Sequence, residues 1–239
     1  MGYIDIHSHI LPHLDDGAGN METTLEMLRI AYQEGITHII ATPHYKSGRF
    51  PADARKLQNT LHKVELAARE EHIPIALYAG NEIYYNSELE EKFQSGALCT
   101  MNGTSYVLVE FSPFEGYLYI RNAMEDILGM GYTPILAHVE RYQCMCKDIS
   151  CVKELKNMGC EIQVNAGSVV GDNGWRIKGF LKKLLKEELV DYIGTDAHNT
   201  AGRKPAMQKC AAYLYRKCER SYADALLYGN AGSRLLELE

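Results

Sequence analysis

Short apolar or β-branched runs recur along the whole chain and alternate with longer amphipathic stretches. Seven such runs predict strands, at residues 3–6, 36–41, 73–79, 106–109, 133–137, 160–164 and 190–194. The runs are continuous rather than alternating with polar residues, which is typical of parallel strands covered by helices. The pattern therefore predicts an α/β fold.

The amphipathic stretches predict helices at residues 21–33, 52–70, 120–128 and 152–158. The last of these ends directly before Gly159, and glycine is a common helix stop. A repeat of roughly thirty residues matches one strand–helix–strand unit. We therefore predict one domain over residues 1–239, a distorted seven-stranded, TIM-like (β/α)7 barrel with its functional residues at the carboxyl ends of the strands.

Composition and charge exclude several classes of function. The chain has 239 residues, is 46% hydrophobic and carries a formal net charge of −6. Nucleic-acid and anionic-membrane surfaces need an excess of Lys and Arg, whereas Lys182, Lys183 and Lys186 form only a short cluster, typical of a solvated helix face. No signal peptide or bilayer-spanning run is visible, so we expect a cytoplasmic protein without membrane insertion.

Seven cysteines, an odd number without regular spacing, predict reduced thiols rather than a disulfide framework. Cys144, Cys146 and Cys151 cluster, but a structural zinc site would need a fourth ligand, and the nearest candidate is His138. We therefore interpret these three cysteines as free thiols.

Cys210 and Arg216 have the Cys-x5-Arg spacing of thiol-dependent tyrosine phosphatases. Such a loop wraps its backbone N–H groups around a phosphate, which normally requires glycine. The intervening residues contain no glycine, and residues 206–220 have a helical pattern. The spacing is therefore interpreted as a chance match.

Histidines and carboxylates follow six of the seven predicted strands. They are His7 and His9, His44, Glu82, Glu110, His138, and Asp196 with His198. Taken alone, His44 or the loop residue Asp16 is typical of a structural residue or helix cap. His7 and His9 lie two apart and so point to the same face of a strand. So many unpaired imidazoles and carboxylates at one edge would cost folding free energy, because like charges repel and buried charge is desolvated. Bound cations remove that cost. The set therefore predicts a multi-metal hydrolase.

The motifs that carry these residues resemble those of the PHP (polymerase and histidinol phosphatase) superfamily, and within it the bacterial capsule-type, manganese-dependent tyrosine-protein phosphatases. The resemblance runs from the first strand to about Arg203. The matching motifs are His7-Ser8-His9, Asp15-Asp16-Gly17, Ala41-Thr42-Pro43-His44, Asn81-Glu82, Glu110-Phe111, Ala137-His138-Val139-Glu140-Arg141 and Thr195-Asp196-Ala197-His198-Asn199.

The resemblance implies three divalent metal ions, Mn²⁺ foremost, with Fe, Zn and Mg also compatible with the ligands. It assigns the first ion to His7, His9, Glu82 and Asp196, the second to Glu82, Glu110 and His138, and the third to Asp16, His44 and His198. Asp15 is the alternative to Asp16. Arg141 and Arg203 match the family's phosphate-binding arginines.

Charge supports a phosphomonoester as the ligand of such a site. Three divalent ions carry six positive charges and four carboxylates carry four negative charges, which leaves an excess of two positive charges. Two arginines add two more, so the site attracts a dianion. The implied reaction is direct hydrolysis, in which a hydroxide bridging two ions attacks phosphorus and no phosphocysteine forms.

Three functions are compatible with this pattern. The resemblance favours a phosphotyrosine-protein phosphatase whose partner is the tail of a bacterial tyrosine kinase of capsule or exopolysaccharide synthesis. Histidinol phosphate or another small phosphomonoester is the alternative substrate, and a non-catalytic metal-binding partner protein is the alternative of another class. The short connections between elements favour an open pocket. Residues 113–119, which follow Glu110, either form part of its rim or simply cover a barrel edge.

Overall fold

The computed structural model describes residues 2–238, which form an α/β fold of parallel strands. The strands are β1 (Tyr3–Ser8), β2 (Ile36–Ala41), β3 (His44–Tyr45), β4 (Ala76–Ala79), β5 (Glu82–Tyr84), β6 (Tyr106–Glu110), β7 (Thr133–Leu136), β8 (Glu161–Asn165) and β9 (Tyr192–Gly194). They form two sheets, in the orders β1-β2-β4 and β3-β5-β6-β7-β8-β9, and all their pairings are parallel. A parallel bridge between Ser8 and Ala197 connects the chain after β9 to β1.

The predicted count of seven strands is not confirmed, because two further short strands, β3 and β5, follow β2 and β4 after a break in each case. Pro43 lies between β2 and β3 and has no backbone N–H for a ladder hydrogen bond. Gly80 lies between β4 and β5, where a Cβ atom would be 3.0 Å from the sulfur of Met101. After these interruptions His44 and Glu82 begin β3 and β5 and pair with each other in register. The interruptions therefore bring two predicted metal ligands side by side.

The helices are α1 (Met21–Gln33), α2 (Ala54–Glu70), α3 (Leu89–Gln94), α4 (Tyr117–Gly129), α5 (Gln143–Lys147), α6 (Ser150–Met158), α7 (Ala166–Val170), α8 (Trp175–Lys186), α9 (Gln208–Lys217), α10 (Arg220–Asp224) and α11 (Asn230–Arg234). Asn20 and Asp53 cap α1 and α2 by accepting hydrogen bonds from the backbone N–H groups of Thr23 and Lys56. Within residues 2–238, no helix combines the length and the apolar character that crossing a membrane requires.

The apolar core has two parts, separated by the sheets. Val107 and Val109 of β6 belong to the outer cluster, between strands and helices, whereas Leu108 belongs to an inner cluster. The inner cluster also contains Ile4, Tyr192 and Leu235, so it lies toward the amino ends of the strands. Side chains alternate along a strand, so Leu108 and the last residue of β6 share the inner face. The inner face is thus apolar at one end and polar at the other.

Candidate metal centre

The structure brings all nine predicted ligands together at the carboxyl ends of the strands. His7 lies in β1 and His9 follows it, Asp16 lies in the next loop, His44 and Glu82 begin β3 and β5, Glu110 ends β6, His138 follows β7, and Asp196 and His198 follow β9. The carboxyl ends of parallel strands share one edge of a sheet, so residues distant in sequence meet there.

The most deeply buried group consists of His7, His9, Glu82 and Asp196. Nε2 of His7 lies 3.1 Å from Oε2 of Glu82 and 3.6 Å from Oδ1 of Asp196. Nε2 of His9 lies 3.2 Å and 3.5 Å from the same two oxygens. These side chains are at most 2% exposed. One atom from each lies within 4.8 Å of the others, so a single ion could contact all four.

Glu82 also belongs to a second group, with Glu110, His138 and His44. Nε2 of His138 lies 2.8 Å from Oε1 of Glu82 and 3.7 Å from Oε2 of Glu110. Nδ1 of His44 lies 2.9 Å from Oε2 of Glu82 and 3.1 Å from Oε1 of Glu110. The two oxygens of Glu82 thus face different histidines, so this carboxylate could contribute a ligand atom to more than one of the groups.

The third group lies nearer the surface. Oδ1 of Asp16 lies 3.5 Å from Nε2 of His44 and 3.5 Å from Nε2 of His198. The side chain of Asp16 is 45% exposed. His9 joins this group too, beyond the assignment from resemblance, and its ring lies 3.9 Å from that of His198. His44 offers one nitrogen to this group and the other to the second group.

Three atoms that face the centre are buried and have no hydrogen-bond partner among residues 2–238: Nδ1 of His44, Oε2 of Glu82 and Nε2 of His198. An unsatisfied buried polar group costs roughly 1–3 kcal/mol, so such atoms are uncommon. Nδ1 of His44 and Oε2 of Glu82 are 2.9 Å apart yet lack hydrogen-bond geometry. Lone pairs directed at a common cation have this arrangement, and imidazole with carboxylate suits Mn, Fe and Zn.

Asp15 orients the ligands rather than facing the centre. Its Oδ2 lies 2.6 Å from Nδ1 of His9 and accepts the backbone N–H of His44 at 2.9 Å, while its Oδ1 accepts the N–H of Gly17. Although burial opposes the charged form, the contact with His9 holds the pKa of Asp15 at about 2. A Cβ atom at Gly17 would lie 2.1 Å from the carbonyl oxygen of His9, so glycine is required there. Asp16, and not Asp15, is the acid directed at the centre.

Gln163 and Asn165 of β8 hold the centre in place, although the sequence pattern gave the sixth strand no part in the site. Oε1 of Gln163 accepts the backbone N–H of His138 at 2.8 Å and lies 3.2 Å from Nδ1 of His7. Nε2 of Gln163 donates to Asn165, which in turn donates to Asp196. The amide oxygen places the proton of His7 on Nδ1 and leaves Nε2 for the centre. A glutamine inside a buried strand was the available signal.

Asp5 is a third buried residue that the pattern did not indicate. It accepts hydrogen bonds from the backbone N–H groups of His7 and Thr195 and from the Thr195 hydroxyl. Burial raises the pKa of Asp5 to about 6, against the effect of these bonds. Asp5 thereby ties the turn before Asp196 to β1.

Two candidate ligands have strained backbones. His138 and Asp196 have φ values of 34° and 55°, in the left-handed region that non-glycine residues rarely adopt. Such conformations cost on the order of 1–3 kcal/mol and persist where the surrounding structure fixes them. Here the N–H of His138 donates to Gln163, and the N–H of Asp196 donates to the carbonyl of His7.

Arg141 and Arg203 lie at the mouth of the centre and both contact Asp196. Nη2 of Arg141 donates to Oδ2 of Asp196, and Nη2 of Arg203 donates to Oδ1 at 2.7 Å. The arginine side chains are 36% and 43% exposed, whereas Asp196 is 2% exposed. Both line a cavity of about 320 Å³. Two guanidinium groups at an open cavity suit the oxygens of a phosphate.

The carboxylates hold protons on two histidines of the centre. Although burial opposes protonation, Asp15 and Glu82 raise the pKa of His9 to about 9. Against the same effect of burial, Glu110 and Glu82 raise the pKa of His44 to about 11. Positive charge is therefore favoured at this position, and metal ions can supply it in place of protons.

The cysteines lie outside this centre. Cys210 is buried within α9, so the Cys-x5-Arg spacing forms no phosphate loop. Cys144, Cys146 and Cys151 lie in α5 and α6, and all seven cysteines are free. Within residues 2–238, no candidate ligand group includes a cysteine or any of His13, His38, His62 and His72.

The segment at residues 113–119, which follows Glu110, exposes apolar side chains. Phe114, Leu118 and Tyr119 are 79%, 70% and 49% exposed. Pro113 anchors the segment by accepting the backbone N–H of Gln143, two residues after Arg141. Exposed apolar groups beside a polar site are typical of a surface that contacts a ligand or partner.

Comparison with known proteins identifies the family. Residues 3–236 match the family described as capsular polysaccharide synthesis, CpsB/CapC. The chain is 34% identical over 239 residues to tyrosine-protein phosphatase CpsB of Streptococcus agalactiae, covering 97% of this chain and 98% of the relative.

Solved structures agree with this match. One described as YwqE from Bacillus subtilis and CpsB from Streptococcus pneumoniae, unique metal-dependent tyrosine phosphatases, superposes with a TM-score of 0.91 and 31% identity, covering 99% of this chain and 95% of the other. A histidinol phosphate phosphatase of Lactococcus lactis has a TM-score of 0.56 and 14% identity, covering 82% of this chain and 86% of the other, and shares the fold alone. The chain belongs to the CpsB/CapC family of capsular polysaccharide synthesis proteins.

Proposed function

We propose that this chain is a metal-dependent protein-tyrosine phosphatase. The observation that carries the proposal is the convergence of imidazoles and carboxylates, with unpartnered buried atoms, beneath two arginines. The relatives named tyrosine-protein phosphatase, which this chain matches over nearly its full length, supply the reaction class.

We propose nine ligands for three divalent ions, with Mn²⁺ as the metal and Fe, Zn or Mg as alternatives. His7, His9, Glu82 and Asp196 would hold the first, Glu82, Glu110 and His138 the second, and Asp16, His44 and His198 the third. When bound, such ions acidify water toward neutral pKa and neutralise phosphate charge.

Arg141 and Arg203 bind and orient the phosphate in this proposal. Each guanidinium has further N–H donors besides the one that contacts Asp196, and these are available to non-bridging phosphate oxygens. Water attacks phosphorus and its oxygen becomes the fourth oxygen of the released phosphate, the bond between phosphorus and the tyrosine oxygen breaks, and the phenolate leaves with the electron pair and takes up a proton from solvent. No cysteine takes part, since Cys210 is buried in a helix.

A protein substrate fits the mouth of the site better than an enclosed metabolite does. Asp16, Arg141 and Arg203 are partly exposed, and the neighbouring rim carries the exposed side chains of Phe114 and Leu118. A small phosphomonoester such as histidinol phosphate is the alternative substrate.

We infer that the partner is the tyrosine-phosphorylated tail of a bacterial tyrosine kinase of capsule or exopolysaccharide synthesis, encountered in the cytoplasm. The link of the family to capsular polysaccharide synthesis supports this partner. We also infer a single catalytic domain over residues 1–239, in which β2 with β3 and β4 with β5 act as two interrupted strands of a seven-membered barrel.

The test compares hydrolysis of a phosphotyrosine peptide, p-nitrophenyl phosphate and histidinol phosphate, with Mn²⁺ and with chelator. We expect metal-dependent turnover and a higher kcat/KM for the peptide than for histidinol phosphate. The reverse preference would favour the metabolite, and turnover that is absent with every metal would favour a non-catalytic metal-binding protein.

Arg141→Ala tests the phosphate site directly. Removing one donor to a transition-state oxyanion typically costs about 10²- to 10³-fold in rate, and we expect a loss of this size with metal content unchanged. His138→Ala should reduce both metal content and rate. Arg29→Ala, in a surface ion pair with Glu71, is the control. Full turnover in both site variants would refute the assignment.

A further inference from the structure

A second concave surface lies beside the phosphate site, between α5 and α8. Its volume is about 550 Å³, and its lining includes Lys147, Trp175, Arg176, Phe180 and Lys183, which we call the basic groove. Trp175 is 79% exposed. A tryptophan and three cations at one surface differ from the solvated lysine face that the sequence predicts for α8.

Within residues 2–238, the cations of the basic groove have no carboxylate partner. Lys147, Arg176 and Lys183 form no ion pair with a carboxylate of residues 2–238, and no Asp or Glu lines the groove. Neighbouring Lys153, in contrast, pairs with Glu187. In a chain of net charge −6, this surface is a local positive region that can attract anions.

The basic groove adjoins the cavity of the proposed phosphate site along both walls. On one wall Arg141 lines the cavity and Gln143 lines the groove, and on the other Asn173 lines the cavity and Trp175 lines the groove. Two residues span at most about 7 Å, so the two surfaces are close neighbours. Helix α8 also packs against the turn Val139–Arg141, which carries Arg141.

We propose that the basic groove binds an acidic segment of the phosphoprotein, adjacent in sequence to the phosphotyrosine. The inference rests on the proposed function and specifies its substrate. Asp or Glu side chains pair with the three cations, and the face of Trp175 covers apolar parts of the segment. The groove extends along α8 from Trp175 to Lys183, about 12 Å at the helical rise. An extended peptide advances roughly 3.3 Å per residue, so acidic residues three to six positions from the phosphotyrosine reach it.

The experiment uses pairs of phosphotyrosine peptides that carry Glu or Gln at three to six positions on either side. One variant combines Lys147→Gln, Arg176→Gln and Lys183→Gln. The matched control combines Lys63→Gln, Lys182→Gln and Lys186→Gln, which are exposed, lie off the groove and change the net charge by the same three units, from −6 to −9.

We expect the unmodified enzyme to prefer the Glu peptide, mainly through KM, and the groove variant to lose about five- to thirtyfold of that preference, as for three partly exposed ion pairs. The control should keep the preference, and p-nitrophenyl phosphate turnover should be the same in all three proteins. An equal loss in the control, or no preference in the unmodified enzyme, would overturn the inference. Absent p-nitrophenyl phosphate turnover in every protein would instead count against the proposed function.

Discussion

At the residue scale, the centre depends on side chains that do not face it. Gln163 contacts both His7 and the backbone of His138, and Asn165 contacts Asp196. The bond to His7 determines which nitrogen of that imidazole is free to face the centre, and the bond to His138 fixes its strained backbone. Residues of this kind commonly change metal affinity 10- to 100-fold when they are replaced.

Gln163→Leu tests this role. The change keeps the volume but leaves the N–H of His138 unpaired in a buried position, which costs roughly 1–3 kcal/mol of folding free energy. We expect Mn²⁺ affinity to fall about 10- to 100-fold, with activity partly restored at high Mn²⁺. Calorimetric metal titration and denaturant unfolding measure the two effects. Gln208→Leu, at the exposed start of α9, is the control. Wild-type affinity in Gln163→Leu would contradict the role.

Sequence alone could indicate the nine residues that gather at the centre, because each stands at a strand end or in a recognisable motif. It could mark Gln163 and Asp5 as polar residues within apolar strands, but it could not assign either to the site. A buried polar residue inside a strand has the same local pattern whether it serves a site or only the core. Its partners, such as Thr195 for Asp5, are distant in sequence and are known only from the fold.

At the element scale, local signals located the long helices and a strand in each of the seven predicted runs, but they missed the short strands β3 and β5 and several short helices. Helix α1 begins and ends at the residues that periodicity predicts, and the structure adds a cap at Asn20. The strand count differed because the breaks at Pro43 and Gly80 depend on neighbouring strands, and because short apolar runs do not show where pairing stops. Such breaks matter for function, since they set the register of His44 against Glu82.

Strand β9 packs closely against β1, and Gly194 permits this contact. A Cβ atom at Gly194 would lie 2.6 Å from Cβ of His7 and 2.9 Å from Nε2 of Gln163. Gly194→Ala must therefore displace β9, and we expect a loss of roughly 1–3 kcal/mol in the free energy of unfolding and weaker Mn²⁺ binding. Gly129→Ala, at the exposed end of α4 with no atom within 4 Å of the added Cβ, should change stability little. Equal stability of the two variants would show that β9 can adjust.

At the scale of the whole molecule, the fold separates apolar and polar side chains along the inner face of the sheets. The inner cluster around Leu108 and Leu235 fills the amino end, so the desolvated imidazoles and carboxylates meet at the carboxyl end. Their mutual charges are balanced by protons or by metal ions. Metal binding is therefore coupled both to proton release and to the stability of the whole fold.

The pKa values of His9 and His44, about 9 and about 11 in the metal-free protein, set the direction of this coupling. Both lie above the ordinary value of 6.5, so these protons stabilise the metal-free fold fully below pH 6.5, and that contribution is lost as the pH rises through about 9 for His9 and about 11 for His44. Metal ions require unprotonated nitrogen, so Mn²⁺ binding at pH 7 should release protons, and apparent affinity should rise with pH.

The gap in Tm between the Mn²⁺-loaded and chelator-treated proteins should widen from pH 6 to 9. Titration calorimetry in buffers of different ionisation enthalpy measures the release, with His62→Gln, a surface change, as the control. A binding heat that does not depend on the buffer would contradict this coupling.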